Sequence, residues 1–523
     1  MTDTSILLRG GQIYAGAGVA PCAGGAGVAT ALMITGSRIS WVGPADAADQ
    51  AGPADRSIDL GGASVLPGFV DAHVHCTAAG LVLTGLDLSG TNSVQECLDR
   101  ITAFGRQHPK GVLWGHGWDE TTWPERRAPS RAEVDAAVGD RLAYLGRVDV
   151  HSALVSSPLA ALVDSDLDGW HPELPLSRAA NRMANTIPRL RLPDAQRAAA
   201  QRAFLERCAA NGIIEVHECA DNERVGLADL AGLLALDGPV AVLGYLAALV
   251  SDPDEARQWI ADTGAHALGG DLSVDGAVGS RTAALTAPYL GLPETCGARY
   301  LSDRQIADHL FACAGAGVQP GFHAIGDDAV GAVAAGLRSA ARRLGEGGAA
   351  RLAAVAPRIE HAEMPTQQDI ETFAGHGAIA SVQPLFDAFW GGSEALYAQR
   401  LGNGRAALMN PFAAFAEAGV ALALGSDAPV TPAHPLAAIR AAMRHRTARS
   451  GISLAAAIQA HTSGGHRAAR SSHPGRIIPG APADLAIVSG AIAAIADPSA
   501  PLPVPLATIR RGQSTFGDIF EPR

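Results

Sequence analysis

The chain has 523 residues and a formal net charge of −12, with a pI near 5.8, an acidic balance that excludes nucleic acid and anionic membrane as partners. Hydrophobic residues make up 48% but aromatics only 5%, and no uninterrupted apolar stretch approaches the length of a membrane span. Such a length exceeds one ordinary core, so two or three domains are expected unless one is a large barrel.

The N-terminal stretch MTDTSILLRGGQIYAG lacks a charged region followed by an apolar one, so no signal peptide is expected. Seven cysteines are scattered without CxxC pairs, a reduced pattern that predicts a cytoplasmic protein rather than a disulfide framework. Residues 1–65 alternate apolar and turn segments (ILLRGGQIYAG, ALMITGSRISWVG, SIDLGGASVLPG) and read as short antiparallel strands joined by Gly-rich turns. The C-terminal end repeats that character in PADLAIVSG and PLATIRRGQSTF. The simplest arrangement is one small β-sandwich built from residues 1–66 and 471–523, with a large domain, 67–470, inserted between its strands.

The middle alternates strand and helix, which favours a parallel sheet. Eight segments read as buried strands: VLPGFVDAHVH, GIIEVHE, PVAVLGYL, DLSVDG, VQPGFHAIGD, PRIEHAE, AIASVQP and VALALGSDAP. Eight such units predict an α/β fold with a (β/α)8 TIM-like barrel, whose active site lies at the C-terminal ends of the strands. A doubly wound open sheet is the alternative, but no GxGxxG opens a helix after an early strand. Residues of about 81–205 exceed the eight-unit count and read as an insertion after the first barrel strand, placed as a lid.

The first predicted strand ends in DAHVH. On a strand, residues i and i+2 face the same way, so His73 and His75 point to one side. Two adjacent imidazoles are poor core residues but good ligands for a borderline metal such as zinc. Two surface histidines beside a turn would look the same over this stretch alone, so the other strand ends decide. The fifth ends in His323, the sixth in His361 and the eighth in Asp427. Converging on one face, these four histidines and one aspartate form a ligand set for one or two divalent ions with positions left open for water.

With these residues in place, the chain resembles the metal-dependent amidohydrolase superfamily, whose pattern is HxH on the first strand, His on the fifth and sixth, and Asp on the eighth. The stretches GHGWD, VDVHSALVSS, DGAVGSRTA, HAIGD, IEHAE, SVQP and LGSDAPV make it similar to amidohydrolase family 3, the group that includes N-substituted formamide deformylases. The resemblance implies hydrolysis of a carbon–nitrogen bond other than a peptide bond in a small molecule: an amide, a formamide or a cyclic amide. It makes His73, His75, His323, His361 and Asp427 the metal ligands, with Asp427 also the general base. Zinc is the default ion for so His-rich a site, with manganese or iron as alternatives. It also marks Trp118 and His151, in the insertion, as pocket-lining residues, although an ordinary lid core would account for them equally. His116 and Asp119 share that ambiguity. Arg281 suits either a substrate carboxylate or an ion pair at a helix start. His217 and Glu218 face opposite ways by strand alternation, and His461, His466 and His473 read as structural or exposed. A deaminase of an amino-substituted heterocycle is the rival reaction, and a catalytically dead scaffold the rival from another class. The sequence leaves the substrate and any homo-oligomer open.

One compositional fact bears on the metal. Lys110 is the only lysine, so 39 of the 40 basic residues are arginines. Many two-metal relatives bridge their ions with a carboxylated lysine on the fourth strand, where this chain has Asp271 in DLSVDG. Asp271 is several bonds shorter and would reach a metal only if that strand moved inward. The expectation is therefore one tightly held ion on His73, His75 and Asp427, completed by His323, His361 or both, with a second ion weak if present.

Overall fold

A computed structural model describes residues 4–15, 29–148 and 152–519. The chain divides into two compact units: one of residues 1–75, 205–222 and 237–523, the other of 76–204 and 223–236.

The larger unit contains eight parallel strands: β1 (Phe69–Val74), β2 (Ile213–Asp221), β3 (Ala241–Ala247), β4 (Ala267–Leu268), β5 (Gly321–Ala324), β6 (Arg358–His361), β7 (Ile379–Val382) and β8 (Ala421–Leu424). They form two four-stranded sheets in the orders β4-β3-β2-β1 and β5-β6-β7-β8, all neighbours parallel. Parallel bridges join Val74 to Ala428 and Leu268 to Pro320, linking the edges of one sheet to the other. Every residue of β1, β6 and β7 is buried, as expected of strands covered on both faces. Helices such as Asp303–Ala316, closed by a capping box between Ser302 and Gln305, fill the connections.

The fourth predicted strand differs from expectation. DLSVDG is not a strand; the strand is the two-residue Ala267–Leu268 just before it. The chain then turns at Gly270, whose φ of 64° suits glycine, and only Ser273 bridges onward, to His323.

Both chain ends of this unit are sheet. One four-stranded sheet has the order Arg38–Gly43, Ala31–Thr35, Ser5–Arg9, Arg56–Asp59. A five-stranded sheet runs Gln12–Ile13, Ser64–Pro67, Leu485–Val488, Pro505–Arg510, Gln513–Phe516, and so joins the two ends of the chain. One apolar cluster takes Leu8 and Leu32 from the first sheet and Val65, Leu485 and Ile509 from the second. Two pairings are parallel rather than antiparallel, Ser5–Arg9 with Arg56–Asp59 and Gln12–Ile13 with Ser64–Pro67. The hairpin Ala31–Gly43 and a short 3₁₀ turn intervene, returning the chain in its original direction. The apolar run VLPGFV also splits: Ser64–Pro67 belongs to this terminal sheet, and β1 begins only at Phe69.

The smaller unit is a five-stranded sheet in the order Leu176–Ser177, Ser152–Val155, Ala143–Arg147, Leu113–Trp118, Leu86–Asp87. The helix Arg224–Ala235 packs with it, because its buried Asp229 accepts from Arg197 Nε at 2.8 Å and Arg189 Nη2 at 3.1 Å. Among the described residues no helix is long and apolar enough to cross a membrane, and Cys76, Cys97, Cys208, Cys219, Cys296 and Cys313 are free thiols.

Candidate metal centre

His73, His75, Asp271, His323, His361 and Asp427 meet at the C-terminal ends of the parallel strands. Asp271 stands in the middle. Its Oδ2 is 3.1 Å from His75 Nε2, and its Oδ1 lies 3.4 Å from His73 Nε2, 3.5 Å from His323 Nδ1 and 3.7 Å from His361 Nε2. Asp427 Oδ1 approaches His75 Nε2 at 3.1 Å and His73 Nε2 at 3.6 Å. The expected shortfall of Asp271 is thus corrected: freed from a strand by the turn at Gly270, the segment delivers its short carboxylate among all four imidazoles.

The backbone explains the convergence. His75 N donates to Ala428 O at 2.9 Å and Asp427 N to His73 O at 2.8 Å, tying the end of β1 to the GSDAP loop after β8. Gly425 permits this approach, since a Cβ there would meet His73 N at 2.7 Å. His361 and Asp427 hold left-handed φ angles of 68° and 55°, conformations uncommon outside glycine and concentrated at functional sites.

Three of the four imidazoles are fixed through Nδ1, which leaves Nε2 facing the centre. His73 Nδ1 lies 3.0 Å from Glu360 Oε2, His75 Nδ1 2.9 Å from Cys219 O, and His361 Nδ1 2.8 Å from Gln383 Oε1. Each of those oxygens can only accept, so each Nδ1 carries the hydrogen. His323 is turned the other way, with Nε2 3.4 Å from Gly276 O and Nδ1 toward Asp271.

The electrostatics match a cation site. Burial opposes charge on Asp271, yet the surrounding imidazoles hold its carboxyl well below the usual range. Burial likewise opposes a proton on His75, but Asp271 and Asp427 outweigh it and raise its pKa. His73 Nε2 and Asp271 Oδ1 are buried and make no hydrogen bond despite lying 3.4 Å apart. Buried polar atoms without partners are costly, and a divalent ion would satisfy both. Two sets of three donor atoms, from His73, His75 and Asp427 and from His73, Asp271 and His361, each lie within 4.8 Å of one another. The donor types, imidazole and carboxylate, fit a borderline divalent metal.

Trp118 is 1% exposed in the core of the smaller unit and donates its indole N–H to Leu145 O at 2.8 Å, so its ring is committed to packing. His151 lies outside the described residues. His116 contacts Val82 O at 3.1 Å, and Asp119 pairs with Arg147 at 2.9 Å. Arg281 stands in an irregular loop with a φ of 59°, not at a helix start. His217 is fully buried between Arg358 and Glu215, and Glu218 is buried as well. His461, His466 and His473 are structural, His461 against Val70 O and His473 against Asp484. Lys110 is exposed in the smaller unit. Sequence reasoning missed Glu360, Gln383 and the carbonyl of Cys219, which orient the imidazoles. The one available signal was an Arg and a Glu at i and i+2 in the apolar run RIEH.

A family model described as the amidohydrolase family matches residues 56–516. The chain is 26% identical over 421 residues to the putative amidohydrolase YtcJ of Bacillus subtilis, covering 76% of each chain. It is 29% identical over 139 residues, 26% of each chain, to the N-substituted formamide deformylase of Arthrobacter pascens. A metal-dependent hydrolase of Pyrococcus furiosus superposes with a TM-score of 0.75 at 23% identity, over 93% of this chain and 99% of that one.

Proposed function

The chain belongs to the amidohydrolase family, whose members hydrolyse carbon–nitrogen bonds, and from that premise we propose that it cleaves a non-peptide C–N bond with a metal-activated water. The two parallel sheets are read as halves of one (β/α)8 barrel, and the two terminal sheets as one β-sandwich spanning both chain ends. The observation that carries the proposal is the gathering of four imidazoles and two carboxylates at the strand ends, with contacts of 3.1–3.7 Å around Asp271.

His73, His75 and Asp427 would hold the tightly bound ion, zinc by donor type; Asp271, His323 and His361 would form the position of a weaker second one. A divalent ion there supplies a water with its pKa lowered from about 16 to about 7 and a Lewis acid for the carbonyl oxygen. Asp427 would act as the general base, taking a proton from the attacking water at its carboxylate and giving it to the leaving nitrogen. Its side chain is 10% exposed, enough to reach substrate while its burial excludes bulk water. The local match to a formamide deformylase favours N-substituted formamides and related amides as substrates over ring amino groups.

The test is elemental analysis of the purified protein, followed by a screen of N-formyl, N-acyl and cyclic amides with and without chelator. Chelator-sensitive release of an amine and a carboxylate is expected. Release of ammonia from an amino-heterocycle would establish the deaminase instead, and chelator-insensitive turnover would end the metal reading.

A further inference from the structure

Beyond the six residues of the candidate metal centre, the interior of the parallel sheets holds a second ionic group. Arg358 and Glu360 lie two apart on β6, point the same way and are both fully buried. Fully buried charged side chains are rare unless paired, and these two pair with each other, Arg358 Nε lying 2.9 Å from Glu360 Oε1. Arg358 Nη2 donates to Glu360 Oε2 at 2.9 Å, to Ala72 O at 2.6 Å and to Ser381 Oγ at 3.1 Å. Its Nη1 donates to His217 Nδ1 at 3.0 Å, and its guanidinium sits 4.0 Å above the Tyr245 ring. The guanidinium is thereby anchored to β1, β2, β3 and β7 at once. Glu360, held by it, also places Oε2 3.0 Å from His73 Nδ1.

We propose that Glu360, clamped by Arg358, is a positioning residue that fixes the His73 tautomer and ring orientation so that Nε2 is presented to the metal. This rests on the metal reading above. A carboxylate only accepts, so the proton of the His73 ring must sit on Nδ1. The bare Nε2 then faces Asp271 at 3.4 Å and Asp427 at 3.6 Å. An anionic acceptor also makes the imidazole a stronger donor to a cation than a neutral acceptor would. The Arg358 clamp keeps the Glu360 carboxylate from turning toward the centre and becoming a ligand itself.

The test is a double-mutant cycle on Zn²⁺ affinity, measured by competition with a chelating dye in the wild type, Glu360→Gln, His73→Ala and the double variant. Glu360→Gln should weaken Zn²⁺ binding about 10- to 100-fold in the wild-type background. In the His73→Ala background it should change affinity by less than about 2-fold, because the residue it acts through is gone. Equal losses in both backgrounds would mean that Glu360 acts through the fold and would overturn the proposal. If Glu360→Gln leaves Arg358 stranded and the protein does not fold, the Arg358→Gln/Glu360→Gln pair removes both charges together and serves in the same cycle. A wild-type protein that takes up no Zn²⁺ would overturn the metal reading first. Zn²⁺ uptake unaltered by Glu360→Gln would overturn this inference alone.

Discussion

Asp271 Oδ2 and His75 Nε2 stand 3.1 Å apart, although nothing but a two-residue strand and a glycine turn precedes the aspartate. That contact places a genetically encoded carboxylate where a chain with one lysine cannot place a carboxylated one. Reconstitution with metal should therefore proceed equally well with and without bicarbonate. Asp271→Asn preserves shape but removes the charge, and should weaken metal binding at least about 10-fold, read by metal content after dialysis. Bicarbonate-dependent recovery of activity would contradict this role.

Asp427 differs from Asp271 in having a task after the metal is bound. Asp427→Asn should lower kcat about 10²- to 10⁴-fold, the range of general acid–base contributions, and retain measurable metal. His73→Ala should instead lose activity through the tightly held ion, and His323→Ala through the weaker second one. The contrast is read by pairing metal analysis with turnover for each variant. Near-normal turnover in metal-loaded Asp427→Asn would remove that residue from proton transfer.

The convergence of His73, His75 and Asp427 was legible because the period of a strand makes HxH point one way, and because GSDAP marks where β8 ends. Asp271 was visible as a charge but not as a central one. Periodicity cannot show that β4 stops at Leu268, nor that the chain then turns inward. Glu360 was invisible for a related reason: every residue of β6 is buried, so alternation does not distinguish its two faces. VLPGFV read as one strand because an apolar run carries no record of its partner, and here it serves two sheets. The helix Arg224–Ala235 joins the smaller unit through an ion pair of Asp229 with arginines some 30 to 40 positions earlier, beyond any local pattern.

The shared terminal core makes a prediction about the chain ends. Ile509 is fully buried in a cluster with Leu8, Leu32, Val65 and Leu485. Ile509→Ala should cost about 2–5 kcal/mol, a range that depends on how far the cavity collapses. The loss is measurable as a lower urea midpoint at unchanged slope. A fragment spanning only 67–470 should aggregate, because it lacks both terminal sheets and loses contacts such as Thr508 Oγ1 to Ala209 O at 2.6 Å, exposing apolar surface that those sheets cover. A soluble, cooperatively folded fragment of that span would show that the parallel strands fold independently of the terminal sheets.

Stability should also depend on pH through a histidine remote from the metal. His309 is fully buried against Phe322, with its Nδ1 accepting from Val250 N at 3.3 Å and its Nε2 3.3 Å from Leu268 O. Burial outweighs the carbonyl contact and lowers its pKa to about 4. In the unfolded chain the imidazole titrates near 6.5. Between those values the unfolded state binds a proton that the folded state refuses, so His309 favours unfolding increasingly as pH falls from about 6.5 to about 4. Other groups titrate in the same window and partly oppose it: Asp71, pushed up by burial to about 6, stabilises the fold as pH falls. The single contribution is therefore read as a difference. His309→Gln keeps a donor and an acceptor but cannot titrate, so its stability should fall less steeply than the wild type's between pH 6.5 and 4. Above pH 7 the variant should be the less stable of the two, because glutamine fits the ring's cavity poorly. Urea midpoints of both proteins across that range give the two slopes. Parallel slopes would show that His309 takes up its proton equally in the folded and unfolded states.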